Sequence, residues 1–212
     1  MKTFLDRHAA GKELAEKLKK FKNAENTLVL ALPRGGVPVA YEIAKNLKLP
    51  LDVLVVKKLG VPWQEELAFG AITANTLVLN HALLKQLNLS QAVIEDIIAK
   101  KKTELAIHEK RYRASLSPPS LHNKTILLVD DGIATGATMM AAIEALQQQQ
   151  AKHIVVATPV AEVTIAKKIK QQVHEFICLL TPDEFDAVGK WYQDFSQTSD
   201  EEVNTLLQKK EP

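Results

Sequence analysis

Two adjacent carboxylates stand where an apolar run gives way to a loop of small and hydroxylated residues. Asp130 and Asp131 end the apolar run, and the loop after them leads into a predicted helix. A loop that opens a helix presents backbone N–H groups and the positive end of the helix dipole, which together bind anions. Thr135 and Thr138 add hydroxyl donors, and Gly136 lets a ligand approach the backbone closely.

A phosphate beside two carboxylates is repelled unless the ligand also carries groups that carboxylates bind. Asp130 and Asp131 can hold vicinal hydroxyls or the shell of a Mg²⁺ ion while the loop holds the phosphate, and a ribose 5-phosphate has this layout. Neither G-x-x-x-x-G-K-[ST] nor G-x-G-x-x-G occurs in the sequence. Receiver domains also place an Asp pair before a helix, but after their first strand, whereas here the pair lies mid-chain.

A second candidate anion-binding loop, Arg34-Gly35-Gly36, follows the first predicted strand. Two successive glycines permit backbone conformations that direct N–H groups at an anion, and the Arg34 guanidinium adds a charged donor. The tripeptide alone is typical of a plain turn. Its position before Pro38 and a helix, in a chain that also has the Asp130 loop, favours the ligand-binding interpretation.

Short apolar strands alternating with helices must position these loops. The predicted strands cover residues 27–32, 51–56, 76–79, 126–129, 154–157 and 176–180. The predicted helices cover residues 6–21, 39–47, 91–113, 138–150 and 163–172. This alternation predicts an α/β fold, a doubly wound and mostly parallel sheet with helices on both faces. Residues 57–70, broken by Gly60, Pro62 and Gly70, are predicted to be a long irregular loop.

Ligands of such sheets bind at the carboxyl ends of the strands, where the loops 33–38, 57–70 and 130–138 are expected to meet. A length of 212 residues suits one domain. Residues 1–180 are expected to form its core, and the more polar residues 181–212 a small C-terminal hood or helical appendage within the same domain.

Charge and composition argue against several classes of protein. The 27 basic and 25 acidic residues give a net charge of +2, without the concentrated basic face that a nucleic-acid partner needs. Cys178 is the one cysteine, and the six histidines lack metal-ligand spacing. The first residues have no signal-peptide pattern, and no window approaches the about 20 apolar residues of a membrane span. A reducing cytoplasm is therefore the expected compartment.

Residues 126–138 resemble the type I phosphoribosyltransferase family, whose hallmark is a short hydrophobic strand, two acidic residues and a Thr-Gly phosphate loop. The resemblance extends over most of the chain and is closest to predicted bacterial phosphoribosyltransferases of unassigned substrate. It is also carried by residues 4–7, 32–40, 69–72 and 189–197. One departure is Lys57-Lys58, where that group often has Arg-Lys, so the charge is kept without the bidentate fork of arginine.

The resemblance implies an enzyme that binds 5-phosphoribosyl-1-pyrophosphate (PRPP) with Mg²⁺. The phosphoribosyl group would pass to a nitrogenous acceptor, foremost a nucleobase, with release of pyrophosphate. By position, Asp130 and Asp131 would hold the ribose hydroxyls and, indirectly or through substrate, the Mg²⁺. The residues implied for the 5-phosphate are Ala134, Thr135, Gly136, Ala137 and Thr138, and those for the pyrophosphate are Arg34, Gly35 and Gly36.

Lys57 and Lys58 end the second predicted strand and would neutralise the charge of the departing pyrophosphate. The predicted catalytic residues are these two lysines together with Asp130 and Asp131. A solvated strand end is the alternative for these lysines. The segment 57–70 corresponds to the family's mobile catalytic loop. Three aromatic residues of the hood are predicted to stack on the acceptor base, foremost Phe185 and then Trp191 and Tyr192, with core packing as the alternative for each.

Several points stay open from the sequence. Ala134 stands where hypoxanthine-guanine enzymes often have an aspartate, which argues against that subtype and leaves adenine-type, orotate-type and other acceptors. The family also implies a homodimer. The alternative function is a non-catalytic, regulatory sensor of PRPP or nucleotides, and turnover with any acceptor would separate the two. Trp63, Glu65 and Glu66 are given no role.

Overall fold

Five parallel strands form the central sheet of the protein in a computed structural model. The structure describes residues 3–113 and 118–209. Within these ranges it describes every side chain except those of residues 65 and 66. The strands are β1 (Thr27–Ala31), β2 (Leu51–Val53), β3 (Lys57–Val61), β4 (Gln64–Ile72), β5 (Leu77–Leu79), β6 (Thr125–Val129), β7 (His153–Val160) and β8 (Glu175–Leu180). The central sheet has the order β2-β1-β6-β7-β8 with every pair parallel. A second sheet, antiparallel, has the order β3-β4-β5.

Helices cover both faces of the central sheet, which confirms the predicted doubly wound α/β fold. They are α1 (Arg7–Lys17), α2 (Gly36–Leu47), α3 (His81–Leu87), α4 (Gln91–Arg113), α5 (Ala137–Gln148), α6 (Val163–Lys170) and α7 (Asp200–Gln208), with short 3₁₀ helices at Lys19–Phe21 and Val188–Trp191. The predicted first helix thus ends in a separate 3₁₀ turn. Asp6 caps α1, since its carboxylate accepts the Ala9 N–H at 2.7 Å.

The alternation of side chains along each strand explains why these runs are wholly apolar. On β1, Val29 and Ala31 face a core that includes residues of α1 and α2, whereas Leu28 and Leu30 face a core that includes α5 and α6. Both faces are buried, so every position must be apolar or hydrogen-bonded. Pairing in register, with Ala31 beside Val129, brings the carboxyl ends of β1 and β6 to the same edge of the sheet.

The prediction of an irregular loop over residues 57–70 was wrong, because this segment forms the antiparallel hairpin of β3 and β4. Leu59, Val61 and Phe69 are buried, but register shifts on both sides of Gly60 interrupt the period of two. Gly60, Pro62 and Gly70 therefore mark a bulge, the turn and a close strand contact rather than an unstructured loop. The second predicted strand, 51–56, correspondingly ends at Val53.

The last part of the chain packs back onto its beginning. Phe4 forms a parallel bridge with Tyr192, and the Phe4 N–H donates to the Trp191 carbonyl at 2.8 Å. Helix α7, which lies in the predicted helical appendage, contacts α2 and α4. Of the helices within residues 3–113 and 118–209, none combines the length and the apolar character needed to cross a membrane.

Candidate active site

The acidic pair lies directly beyond the carboxyl end of β6. The Leu32 N–H donates to the Val129 carbonyl at 2.9 Å and so carries the pairing of β1 with β6 one residue past the strands. The Asp131 N–H donates to the Asp130 carboxylate at 2.9 Å. Burial and the neighbouring charge of Asp131 raise the pKa of Asp130 well above that of an ordinary aspartate. A bound cation or hydroxyl donors would stabilise the ionised carboxylates and offset the free-energy cost of burying two neighbouring negative charges.

The loop after β1 lies against the acidic pair. A Cβ on Gly35 would stand 2.0 Å from Asp131 Oδ2, and one on Gly36 would stand 2.7 Å from the Val129 carbonyl oxygen. Only glycine fits at such a close approach. The peptide bond between Pro33 and Arg34 is cis. The structure thus brings together the two loops that the sequence singled out separately.

The predicted phosphate loop joins β6 to α5 and is fixed at its base by β7. The Ile133 N–H donates to the Val160 carbonyl, and the Glu162 N–H donates to the Ile133 carbonyl, both at 2.9 Å. Gly136 has a φ of +71°, the left-handed conformation that favours glycine, and it precedes the first residue of α5. Thr135 and Thr138 are exposed.

Within the described residues the N-terminus of α5, like that of α2, has no side-chain cap and so differs from those of α1, α3, α6 and α7. Side chains of Asp6, Asn80, Glu162 and Ser199 accept first-turn N–H groups in α1, α3, α6 and α7. For α5 no such side-chain cap exists among the residues that the structure describes. Its first N–H groups, in Ala137 and the residues that follow, are thus available to an anion.

A cleft of about 330 Å³ opens beside these loops, between the end of β1 and the N-terminal end of β3. Arg34, Lys57 and Thr138 line it, so residues of all three predicted loops meet there. Lys58, Phe185 and the acidic pair itself do not line this cleft in the described part of the chain. Side chains alternate along a strand, so Lys57 and Lys58 project from opposite faces of β3.

One wall of the cleft comes from α4 and α7 and was missed by the sequence analysis. It consists of His108, Arg111, Tyr112 and Asp200. Asp200 accepts from the Tyr112 hydroxyl at 2.8 Å and from Arg111 Nη1 at 2.5 Å. Burial, followed by the contact with Asp200, raises the pKa of Tyr112 to about 12. Burial and the charges of Lys57 and Arg111 lower the pKa of His108.

Helix α4 is anchored over β2, which fixes the position of this wall. Arg113, buried at the last residue of the helix, donates to Asp52 at 2.7 Å and lies 2.6 Å from Glu109. Burial raises the pKa of both carboxyls, while the Arg113 charge opposes that rise.

Arg7 is the second feature that sequence reasoning missed. Its Nε donates to Asp131 Oδ2 at 2.7 Å, and its Nη1 donates to the Ser196 carbonyl at 2.7 Å. The guanidinium carbon lies 3.9 Å from the centre of the Phe195 ring. The Tyr192 hydroxyl donates to the Asp131 backbone carbonyl at 2.6 Å. The start of α1 and the hood are thereby joined at the acidic pair.

The hood, residues 181–209 of the described chain, covers the loop after β6. A Cβ on Gly132 would lie 2.3 Å from Val188, so this part of the hood packs directly on the residue that follows the acidic pair. Trp191 and Tyr192 are buried, and half-buried Phe185 packs against their cluster. These contacts favour core packing for Trp191 and Tyr192, and they leave one side of Phe185 accessible.

The remaining candidates lie on the β3–β4 hairpin. Trp63 is 63% exposed at the hairpin turn. The side chains of Glu65 and Glu66 lie outside those that the structure describes. No group of three or more His, Cys, Asp or Glu residues is placed to hold a metal within the described residues. The carboxylate oxygens of Asp130 and Asp131 are suitable ligands for Mg²⁺. Arg7 already donates to one of these oxygens, so the pair offers few free ligands. The site therefore fits a Mg²⁺ ion that receives most of its ligands from a bound substrate and water.

Comparisons with known proteins support one family. Residues 2–191 match the model of the phosphoribosyl transferase domain. A Mycobacterium tuberculosis H37Rv protein named "Putative phosphoribosyl transferase Rv0571c" is 44% identical over 98% of this chain. The chain spans about half the length of the curated relatives it matches, 47% in this case.

Solved structures agree on the fold. TT1426 of Thermus thermophilus superposes with a TM-score of 0.88 at 38% identity, covering 98% of each chain. A hypoxanthine phosphoribosyltransferase of Staphylococcus aureus superposes with a TM-score of 0.51 at 15% identity, covering 87% of this chain and 79% of its own. At that identity the second likeness supports the fold alone.

Proposed function

The chain belongs to the phosphoribosyl transferase family, and on that premise we propose that it binds PRPP with Mg²⁺ and transfers the phosphoribosyl group to a nitrogenous acceptor. In this reaction the bond from ribose C1 to the pyrophosphate oxygen breaks, and a bond from C1 to the acceptor nitrogen forms. Pyrophosphate leaves with the electron pair, and the acceptor nitrogen loses its proton.

The contact between the Arg34-Gly35-Gly36 loop and the acidic pair is the observation that carries this proposal. Gly35 lies against Asp131, and Arg34 lines a cleft together with Lys57 and Thr138, which is in the first turn of α5. PRPP has hydroxyls at its centre, a phosphate at one end and a pyrophosphate at the other. Its three parts suit the carboxylates, the uncapped helix N-terminus and the cationic side chains, and this chemical match supports the proposal.

The residues contribute charge and position rather than covalent chemistry. The carboxylates of Asp130 and Asp131 accept hydrogen bonds from the ribose hydroxyls and stabilise the positive charge that develops on the ring in an oxocarbenium-like transition state. Arg34 and Lys57 offset the charge of the leaving pyrophosphate. Asp130 and Asp131 would hold Mg²⁺, indirectly or through substrate, and the ion would offset the negative charge of the pyrophosphate.

The acceptor belongs beside the hood, since the hood covers the loop after the acidic pair. Phe185 is the proposed base contact, because it keeps an accessible side in that segment. A panel of nucleobases tested on wild type and Phe185→Ala measures this role, and an identical response removes it. A homodimer, implied by the family alone, is part of the proposal and is tested by sedimentation equilibrium.

Calorimetric titration with PRPP, with and without Mg²⁺, is the deciding experiment. We expect Mg²⁺-dependent binding in wild type and its loss in the Asp130→Asn/Asp131→Asn variant, since neutral amides lose the charge-assisted hydrogen bonds. The matched control, Asp96→Asn/Asp183→Asn, removes two carboxylates from exposed positions and should bind as wild type does.

The outcomes separate the alternatives. No binding to wild type under either condition would mean that the loops serve another ligand. Binding followed by pyrophosphate release with any acceptor identifies an enzyme. Binding without turnover across a broad panel of acceptors favours the regulatory sensor.

A further inference from the structure

The cleft beside the acidic pair is lined by more cationic groups than the two predicted loops supply. Arg34 and Lys57 come from those loops, and α4 adds Arg111, beside His108. Their mutual influence places them close together, since Lys57 and Arg111 both lower the pKa of His108, and Arg34 lowers that of Asp200. Asp200 is the one carboxylate in this lining among the described residues. A polyanion fits the cleft better than any neutral ligand does.

Asp200 is fixed more firmly than its arginine partner. The Tyr112 side chain that donates to one Asp200 oxygen is buried, and Asp200 lies at the first position of α7. Arg111, which donates to the other oxygen at 2.5 Å, keeps a side chain that is 45% exposed. An ion pair with one exposed partner is weak, because water and salt screen it. Arg111 is therefore the partner that can move.

We propose that Arg111 binds the diphosphate of the ligand and that Asp200 holds this arginine in a neutral pair until the ligand arrives. This inference rests on the proposed function, because it assigns a further residue to the pyrophosphate end of the same site. A guanidinium has five N–H donors in a planar fork that matches phosphate oxygens, and the contact with Asp200 occupies one of its nitrogens. On binding, the guanidinium exchanges one carboxylate oxygen for the more highly charged phosphate oxygens.

Opposite effects of two substitutions distinguish this role from a structural ion pair. Arg111→Ala removes the ligand contact and should weaken diphosphate binding. Asp200→Asn removes the charge that competes for Arg111, while its amide oxygen can still accept from Tyr112, and it should tighten diphosphate binding. If the pair served only to join α4 to α7, both substitutions would weaken binding or leave it unchanged.

The test is calorimetric titration of the whole chain with inorganic pyrophosphate and, separately, with ribose 5-phosphate, both in the presence of Mg²⁺. For Arg111→Ala we expect about tenfold weaker pyrophosphate binding, as loss of a charge-assisted contact implies, and unchanged ribose 5-phosphate binding. For Asp200→Asn we expect pyrophosphate binding about two- to fivefold tighter, the range of a screened ion pair. Lys110→Ala, which removes an exposed charge next to Arg111, should match wild type for both ligands.

Each further outcome decides the question. Pyrophosphate binding equal to wild type in Arg111→Ala, or weakened in Asp200→Asn, overturns the role of Arg111 and leaves the proposed function intact if ribose 5-phosphate still binds. Failure of wild type to bind either ligand overturns both. Arg111→Lys, which keeps the charge without the fork, should lie between wild type and Arg111→Ala, and thermal melts verify that all variants are folded.

Discussion

The pair of Arg7 and Asp131 joins the start of α1 to the acidic pair, and Arg7→Met measures what this connection contributes to stability. Methionine keeps a long apolar side chain against Phe195 but removes the donors to Asp131 and to the Ser196 carbonyl, each at 2.7 Å. The two charged side chains are only 11% and 13% exposed, so water replaces the lost contacts poorly. A charged hydrogen bond contributes about 1.5–3 kcal/mol and an ordinary one about 0.5–1.5 kcal/mol.

We therefore expect the free energy of unfolding to fall by about 2–4 kcal/mol in Arg7→Met, which corresponds to a Tm lower by roughly 4–16 °C for a chain of this size. Much of that loss is the cost of leaving Asp131 charged and unpaired. Asp131→Asn added to Arg7→Met should thus recover part of it, with a coupling of about 1–3 kcal/mol between the two sites. Urea unfolding of wild type, both single variants and the double variant gives this coupling.

The pH dependence provides an independent check. Arg7 lowers the pKa of Asp131, which burial raises, so the pairing stabilises the ionised carboxylate. Because burial keeps the pKa of Asp131 above its ordinary 3.8 even with Arg7 present, the part of the loss that comes from Asp131 should be fully present near neutral pH, should shrink as pH falls through that raised pKa, and should be gone by 3.8. Lys12→Met, on the exposed face of α1, is the control and should stay within about 0.5 kcal/mol of wild type. Strictly additive losses at Arg7 and Asp131 would refute the reasoning.

Three further predictions concern the acidic pair and the loop against it. Asp130→Asn, which keeps an oxygen for the Asp131 N–H but removes a buried charge, should raise the free energy of unfolding by about 0.5–2 kcal/mol at neutral pH. Because the pKa of Asp130 is raised in the folded chain, this gain should vanish in urea titrations as pH falls to 3.8, and a destabilised variant would contradict it. Mg²⁺-dependent PRPP binding should weaken as pH falls through a midpoint above 3.8, since protons compete for Asp130, and a pH titration of PRPP with Mg²⁺ alone isolates the titration of the ligand's phosphates. Gly35→Ala should lower stability by about 1–3 kcal/mol and abolish PRPP binding, because its methyl would stand 2.0 Å from Asp131 Oδ2; wild-type affinity would disprove this close contact.

The sequence predicted those strands and loops whose positions follow from the pattern of apolar residues within each segment. The apolar runs of β1 and β6 indicated strands buried on both faces, and parallel topology then placed the loops after them at one sheet edge. The approach of Gly35 to Asp131 follows from that placement. The β3–β4 hairpin escaped prediction because two register shifts at Gly60 hide its alternation.

Contacts between distant parts of the chain could not be predicted from one sequence. Arg7 and Asp131 are 124 positions apart, and Tyr112 and Asp200 are 88 apart. Each of these residues is unremarkable in its local context, as a charge in a helix or as an aromatic in an apolar stripe. Only the packing of α1, α4 and α7 around the sheet brings them to the cleft, and that packing depends on the whole fold.

The bridge between Phe4 and Tyr192 affects how the protein folds during its synthesis on the ribosome. Translation proceeds at about 5–20 residues per second, so the segment around Phe4 waits about 10–40 s before its partner is synthesised. During that interval Arg7 lacks the Ser196 carbonyl and the Phe195 ring, and the loop at Asp131 lacks the Tyr192 hydroxyl. The sheet can assemble as its strands emerge, whereas the acidic pair acquires these neighbours only after residue 196 has been synthesised.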